Sequence, residues 1–130
     1  MSWIIDPRVG LISCVVADDP FTGKPSTKLV MLRARRRQHL ENLRRLCPML
    51  AGAEITAVRR ELDYPVRMVV ERENFVAVMA ELARTIDYRN VKQSAHLHEA
   101  ELGADFVTLM HRVHAVLAQI DDRGVDGPAR

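Results

Sequence analysis

The spacing of apolar positions along the chain changes from two residues to about 3.6, and each spacing predicts a different element. In the first third, apolar and polar residues alternate, which is typical of β-strands that bury one face. This alternation occupies residues 3–5, 11–17 and 29–35. We expect the first two segments to pair as a hairpin and the third to bury Val30, Leu32 and Ala34. Residues 18–27 hold two prolines and a glycine, so they are predicted to form a loop.

Helical spacing begins at Arg36, where apolar residues recur on one side of a helix. The apolar face consists of Leu40, Leu43, Leu46 and Cys47. Pro48 is expected to end this helix, because proline has no amide hydrogen and clashes with the preceding turn. Strand-like alternation then returns in residues 54–60 and 66–71, on either side of a turn at residues 62–65.

Two longer apolar stripes predict that the second half of the chain is helical. The first stripe consists of Phe75, Val78, Met79, Leu82, Ala83 and Ile86. The second consists of Phe106, Leu109, Met110, Val113, Val116, Leu117 and Ile120. Between the two stripes, Asp87 is predicted to cap a further helix that includes Val91 and Ala95.

The order of these elements, β-β-β-α-β-β-α-α, predicts an α+β fold. We expect a single-layer, antiparallel-rich sheet of four or five strands with the helices on one face. Residues 29–86 follow the β-α-β-β-α order of a ferredoxin-like unit, to which an N-terminal hairpin and a C-terminal helix are added. A chain of 130 residues has room for one domain, predicted at residues 1–120 with a flexible C-terminal tail at residues 121–130.

Composition narrows the class of protein. Hydrophobic residues make up 48% of the chain and charged residues 28%, which excludes an intrinsically disordered chain and a disulfide-dense scaffold. Cys14 and Cys47 match no metal-binding or redox spacing, so we expect two buried thiols. Neither a signal peptide nor an apolar run long enough to span a bilayer is recognisable, so a cytoplasmic protein with no membrane partner is expected.

Residue types used in catalysis occur along the chain, but their spacing matches no familiar site. The serines and glycines of the chain form neither a nucleophile elbow nor a phosphate-binding loop. The five histidines are His39, His96, His98, His111 and His114. His96 and His98 would point to different sides of a helix, and no carboxylate lies at the sequence offset that would complete a catalytic zinc site with His111 and His114. We therefore expect ordinary surface or boundary histidines. The prediction is therefore a non-enzymatic protein with no catalytic, cofactor-binding or metal-binding residues. A small enzyme without a recognisable motif is an alternative.

Arginine is the most unevenly distributed residue type. The chain has 16 Arg and 3 Lys, and half of the arginines fall within residues 33–60. The candidate interaction residues are Arg33, Arg35, Arg36, Arg37, Arg44, Arg45, Tyr88 and Arg89. Tyr and Arg are favoured anchors of protein interfaces, and clustered guanidinium groups also bind phosphates. A solvated helix face, with Glu41 and Arg45 paired, is the alternative interpretation.

Several motifs resemble those of a family of small proteins from actinobacteria and their phages. The resemblance covers Trp3, the Val15–Val16 strand, residues 18–20, 32–35, 63–67 and 86–92, and the His111–His114 helix. This chain departs from the family at Val91, where the family usually has Phe, and at Met110 and His114, where it usually has Tyr and Trp. The resemblance implies a compact α+β domain, and it brings no known activity, cofactor or ligand.

These observations together predict a small protein-binding module. Because the resemblance includes phage proteins, the expected partner is a host or cellular protein, bound through the arginine-rich residues and the Tyr88 joint. Nucleic acid bound through residues 33–60 is the alternative, although Tyr64 is the only aromatic residue within residues 29–72. A homodimer through the sheet face opposite the helices is also expected. The apolar residues predicted on that face are Leu29, Met31 and Val69.

Overall fold

One antiparallel sheet and five α-helices make up residues 2–120, the part of the chain that the computed structural model describes. The strands are β1 (Ser2–Asp6), β2 (Gly10–Asp18), β3 (Pro25–Ala34), β4 (Thr56–Ala57) and β5 (Val66–Glu71). The helices are α1 (Arg37–Leu46), α2 (Arg72–Arg84), α3 (Val91–Leu97), α4 (Glu99–Leu102) and α5 (Ala104–Leu117). A short 3-10 turn spans Pro48–Leu50. The prediction of an α+β fold built on one sheet is confirmed.

The strand order β1-β2-β3-β5-β4 contains the predicted β-α-β-β-α unit. Strand β5 lies between β3 and β4 and is antiparallel to both, so β3 and β4 run in the same direction. Helix α1 makes the crossover between them, and α2 follows β5 directly. Strands β1 and β2 pair as a hairpin and extend the sheet beyond β3. The N-terminal hairpin therefore widens the sheet instead of forming a separate layer.

Strand β4 is much shorter than residues 54–60, the segment for which the alternation predicts a strand. After β4 the chain leaves the ladder, because the Val58 amide donates to the carbonyl of Pro65, which has no amide hydrogen to donate in return. Residues 58–63 are exposed. Only Ile55 of the predicted segment belongs to the main core, and the prediction of a strand over residues 54–60 is wrong, since β4 covers Thr56–Ala57 alone.

Helices α1 and α2 cover one face of the sheet and build the main core. The sheet contributes Ile12, Cys14, Val30, Leu32, Ala34, Val66, Met68 and Val70. The helices contribute Leu40 and Leu43 from α1, Cys47 after its end, and Val78 and Leu82 from α2. The predicted inward faces of β3 and α1 are therefore confirmed, except that Leu46 is only partly buried. Both cysteines are buried free thiols, as expected.

The three C-terminal helices form a second cluster. Its buried residues are Ala95, Leu102, Phe106, Val107 and Met110. This cluster packs against Ile5 and Leu11, which lie opposite each other in the β1–β2 register. Because these two residues alternate along their strands with Ile4 and Ile12 of the main core, α3–α5 contact the opposite side of the hairpin. The apolar stripes show that α5 has a buried face, but they do not show which surface covers it.

Both long apolar stripes are only partly buried. In α2, Val78 and Leu82 are buried, whereas Met79 is 42% exposed and Ile86 lies beyond the last helical residue. In α5, the residues of the stripe that remain exposed are Leu109, Val116 and Leu117, and Ile120 lies past its end. The period of a stripe gives the direction of the buried face, but the extent of burial depends on how far the partner surface reaches.

Asn90, rather than Asp87, caps the helix that follows the joint. The Asn90 side-chain oxygen accepts a hydrogen bond from the Gln93 amide at 3.2 Å. A capping side chain must stand immediately before the first helical turn, and α3 begins only at Val91. Asp87 lies too far upstream to bond that turn, so the predicted cap is wrong.

Two predictions concern the end of the chain and the membrane. The predicted tail at residues 121–130 lies outside the described residues. Among residues 2–120, none of the helices combines the length and the apolar character that crossing a bilayer requires.

Candidate functional site

A row of five side chains crosses the sheet face opposite α1 and α2, on which α3–α5 cover the end of the hairpin at Ile5 and Leu11. The strand register sets Trp3 opposite Ser13, then Ser13 opposite Arg33, Arg33 opposite Arg67, and Arg67 opposite Thr56. Each of these positions alternates along its strand with residues of the helix-covered face. The five side chains, which we call the open-face row, therefore point away from the main core.

Tyr64, in the turn before β5, contacts three members of the open-face row. Its hydroxyl oxygen accepts a hydrogen bond from Trp3 Nε1 at 2.9 Å. Its ring lies 4.7 Å from the Arg33 guanidinium carbon, which is cation–π geometry. Its main-chain carbonyl accepts from Arg67 Nε at 3.3 Å. One residue of the turn therefore orders an indole and two guanidinium groups.

The two arginines of the open-face row lie side by side on adjacent strands and are both half-buried. Arg33 Nη2 donates to the Ser13 hydroxyl at 2.9 Å, and Arg67 Nη1 lies 4.0 Å from the sulfur of Met31. Among residues 2–120, no ion pair involves Arg67. Two neighbouring guanidinium groups on a partly desolvated surface create a positive centre that favours an anionic group.

A second, apolar row lies beside the open-face row. Val15 stands opposite Met31, and Met31 stands opposite Val69. Val69 is 51% exposed, and the other two side chains are half-buried. This apolar row gives the open face a surface on which aliphatic side chains of another molecule can be buried.

The residues around Tyr64 line a shallow cavity of about 370 Å³. Its walls are Trp3, Arg33, Leu62, Asp63, Tyr64 and Arg67. Aromatic rings, guanidinium donors and one carboxylate therefore meet at a single depression on the sheet. Such a site suits recognition of a group that has both a charged and an apolar part.

The predicted interaction residues of the β3–α1 region are divided between the two sides of the sheet. Arg33 belongs to the open-face row, and Arg35, just after β3, donates to the Asp63 carbonyl at 2.7 Å. Arg36 forms an ion pair with Asp105 of α5. The structure therefore separates Arg33 from the arginines of α1. Helix α1 packs on the face of the sheet opposite the open-face row.

The remaining arginines of α1 are bound locally. Arg37 Nε lies 3.0 Å from Glu41 Oε1, one helical turn further on. Arg44 Nη1 donates to the Ala53 carbonyl at 3.1 Å, and Arg45 Nη2 to the Asn42 side-chain oxygen at 3.4 Å. Within residues 2–120, Arg44 and Arg45 thus form no ion pair, and the α1 surface of this part of the chain stays basic.

Tyr88 and Arg89 lie at the joint between α2 and α3. The Arg8 guanidinium carbon lies 5.6 Å from the centre of the Tyr88 ring. Arg89 lines an apolar groove of about 430 Å³ between the joint and α5. The joint therefore packs onto the turn of the N-terminal hairpin, and the structure does not bring it together with the open-face row.

A further cavity, of about 370 Å³, lies where α1 meets α5. His39 forms part of its wall and is itself buried. The Leu11 amide donates to His39 Nδ1 at 3.4 Å, which assigns the ring hydrogen to Nε2, facing the Leu102 carbonyl at 3.4 Å. Burial lowers the pKa of His39, and the contact of Nε2 with the Leu102 carbonyl opposes that effect. Both ring nitrogens contact the backbone, so His39 holds α1 against its neighbours.

Two contacts join residues that are distant in sequence, and no local sequence pattern predicts them. The first is the Trp3–Tyr64 hydrogen bond, which needs the register of the whole sheet. The second joins His96 of α3 to His111 of α5, whose Nε2 atoms are 2.7 Å apart. Sequence spacing relates only histidines that are close along the chain, such as His111 and His114, whereas the packing of α3 against α5 brings together His96 and His111. In residues 2–120, no cluster of three or more His, Cys, Asp or Glu side chains is arranged to hold a metal ion.

Comparison of the chain with known proteins adds no further constraint on the site. Neither the protein-family models, nor the curated proteins, nor the solved structures contain a match to this chain.

Proposed function

We propose that this protein is a protein-binding module and that the open-face row, with the apolar row beside it, is its binding surface. The observation that carries the proposal is the alignment of Trp3, Arg33 and Arg67 across the sheet, with Tyr64 in contact with all three. Trp, Tyr and Arg are the residue types that most often dominate binding energy at protein interfaces. Here they are gathered on a face that no helix of the main core covers.

The expected partner combines carboxylates with aliphatic side chains. Arg33 and Arg67 supply planar guanidinium groups, which bind carboxylates through paired hydrogen bonds. Met31 and Val69 supply apolar area next to them. An acidic segment of another protein has both kinds of group, and a host or cellular protein is the source in keeping with the resemblance to phage proteins.

A symmetric dimer through the open face is less well supported. In a two-fold dimer the same patch meets itself, so two copies of Arg33 and Arg67 would share one interface. Juxtaposed like charges are costly when they lose water. Of the three apolar residues predicted for such a dimer, Leu29 and Met31 are half-buried and only Val69 is exposed. A partner of opposite charge avoids this repulsion.

Single-stranded nucleic acid is a second candidate, because the exposed indole of Trp3 and the ring of Tyr64 lie beside arginines on a sheet. Bases stack on such rings, and arginines contact phosphates. However, the apolar row offers nothing to a phosphate backbone, and Asp63 lines the same cavity. The formal net charge of +2 gives little long-range attraction for a polyanion.

Fluorescence of Trp3 tests the proposal directly, because Trp3 is the only tryptophan of the chain and lies on the surface in question. The probes are a short peptide that combines Glu with Leu, the same peptide with Lys in place of Glu, and an oligothymidylate. We expect the acidic peptide to change Trp3 emission in a saturable way and the basic peptide to leave it unchanged. A response to the oligothymidylate alone would support the nucleic-acid candidate instead, and no response to any probe would overturn both.

Two charge reversals locate the surface. Arg67→Glu acts on the open-face row, and Arg45→Glu makes the same charge change on α1, on the helix-covered side. We expect Arg67→Glu to weaken the binding of the acidic peptide by about tenfold or more, and Arg45→Glu to change it by no more than about twofold. Equal losses would mean that only net charge matters. A loss confined to Arg45→Glu would move the binding surface to α1.

A further inference from the structure

Two histidines from different helices converge at the edge of the second cluster. His96 of α3 and His111 of α5 have their Nε2 atoms 2.7 Å apart, with ring centres 4.9 Å apart and ring planes inclined by 57°. Each follows a buried residue of the cluster, Ala95 or Met110, so the packing of α3 against α5 fixes their backbone positions. Both side chains are exposed and accessible to solutes.

The contact between the two rings restricts their hydrogens. A neutral imidazole carries one N–H, so in this pair one Nε2 donates and the other accepts. If the donating ring shifts its hydrogen to Nδ1 through water, both Nε2 lone pairs face the same point in space. Two converging imidazole nitrogens are a ligand pair that suits zinc, nickel and copper.

We propose that His96 and His111 bind one divalent transition-metal ion, such as Zn²⁺, through their Nε2 atoms. Zn–N bonds of about 2.0–2.1 Å at a tetrahedral angle need the two nitrogens about 3.3 Å apart. The pair reaches this separation by opening about 0.6 Å, a small rotation for two exposed side chains. The only proton movement is the shift from Nε2 to Nδ1 on one ring.

The remaining coordination positions are open. Because residues 2–120 contain no group of three or more His, Cys, Asp and Glu side chains placed around one ion, water or a donor from outside these residues completes the shell. Such a site exchanges its metal readily, unlike a closed structural zinc site. The ion would join α3 to α5, and it would stabilise the folded chain because the pair exists only after folding.

Titration of the untagged chain with ZnCl₂, followed by calorimetry near neutral pH, tests the proposal. We expect one ion per chain, and we expect His96→Ala and His111→Ala each to weaken binding by about tenfold or more. The matched controls, His98→Ala and His114→Ala, are expected to stay within about twofold of the parent. Circular dichroism of each variant checks that it is folded.

Imidazole nitrogen NMR gives a second readout that does not depend on a variant. Zn²⁺ should shift the Nε2 signals of His96 and His111 and leave protonated Nδ1 signals on both rings. Binding that survives in the His96→Ala/His111→Ala double variant, or no binding by the parent chain, would overturn the proposal. Neither result bears on the open-face row, so the metal site and the proposed function are tested separately.

Discussion

Trp3 Nε1 donates a hydrogen bond to the hydroxyl oxygen of Tyr64 at 2.9 Å, although the two residues are 61 positions apart. Trp3 lies on the edge strand β1, and Tyr64 lies in the turn that leads into β5. The bond therefore links the two sides of the sheet over β2 and β3, on the face that we propose as the binding surface. Because Trp3 is the only indole in the chain, this link is directly observable in solution.

Replacement of Tyr64 by Phe should free the indole without damage to the fold. The variant removes the acceptor of Trp3 Nε1, and we expect lower fluorescence anisotropy of Trp3. The bond is exposed, so its loss should change the free energy of unfolding by less than about 1 kcal/mol. Urea titration and time-resolved anisotropy measure both quantities. Tyr88→Phe is the matched control, and equal anisotropy in the two variants would contradict the contact.

The open-face row shows what sequence patterns can and cannot predict. Alternation in β3 correctly assigns Leu32 to the core and Arg33 to the opposite face, because the two-residue period is a local property. The registers of several strand pairs decide which residues lie beside Arg33. They place Ser13 between Arg33 and Trp3, and they bring Tyr64, in the turn before β5, against the Arg33 guanidinium. Register follows from the packing of the whole sheet, so no single segment of the chain contains it.

In the helices, too, some features follow from local sequence spacing and others only from tertiary packing. The period of residues 75–86 correctly predicts a helix with Val78 and Leu82 inward, but it also predicts burial for Met79, which stays 42% exposed. In the same way, the His96–His111 contact exists only because α3 and α5 pack side by side. Local spacing determines the element and the direction of its face, whereas the size and identity of its partner come from tertiary packing.

The ion pair between Arg8 and Asp6 should be a major source of stability in the hairpin. Asp6 accepts from Arg8 Nε and Nη2 at 3.1 and 2.9 Å, and Arg8 Nη1 donates to the carbonyl of Thr85 at 2.8 Å. The side-chain exposures are only 11% for Arg8 and 6% for Asp6. The hydrogen bond to Asp6 is the main reason that the pKa of Arg8 is raised. Arg8 thus joins the hairpin turn to the end of α2.

Arg8→Ala should therefore lower the free energy of unfolding by about 3 kcal/mol, because the buried Asp6 carboxylate loses its cationic partner and keeps the hydrogen bond from the backbone amide of residue 8. Arg84→Ala is the matched control, since Arg84 pairs with Glu81 at an exposed site. Its expected cost is below about 0.5 kcal/mol. Chemical denaturation of both variants measures the difference, and similar costs would show that the Arg8–Asp6 pair is as weak as a surface pair.

Cys14 and Cys47 should resist alkylation in the folded protein. Burial raises the pKa of each thiol to about 11, so the reactive thiolate is scarce at neutral pH. A thiol with a raised pKa contributes stability that is complete below the unfolded value of 9.0 and is lost as the pH rises towards 11. Mass spectrometry after iodoacetamide treatment should show slow labelling in buffer and rapid labelling in denaturant. Equally fast labelling in both would contradict the burial.

His39 should make the fold sensitive to mild acid. Burial lowers the pKa of His39 below its usual value of 6.5, whereas the unfolded chain keeps the usual value. As the pH falls below 6.5, the unfolded state takes up a proton that the folded state does not, so stability is complete above that pH and decreases below it. Protonation would also place a charge beside the guanidinium of Arg36, which itself lowers the pKa of His39.

The comparison of His39→Gln with His98→Gln isolates this effect, because His98 is partly exposed and serves as the control. His39→Gln should lower stability near neutral pH, since it removes a buried ring that lies 4.8 Å from Phe106 in edge-on geometry. Between about pH 7 and pH 5, however, its urea midpoint should fall less steeply than that of the parent chain. His98→Gln should follow the parent. Parallel slopes in all three proteins would mean that His39 takes up its proton without unfolding, and the buried ring would then not be the source of acid sensitivity.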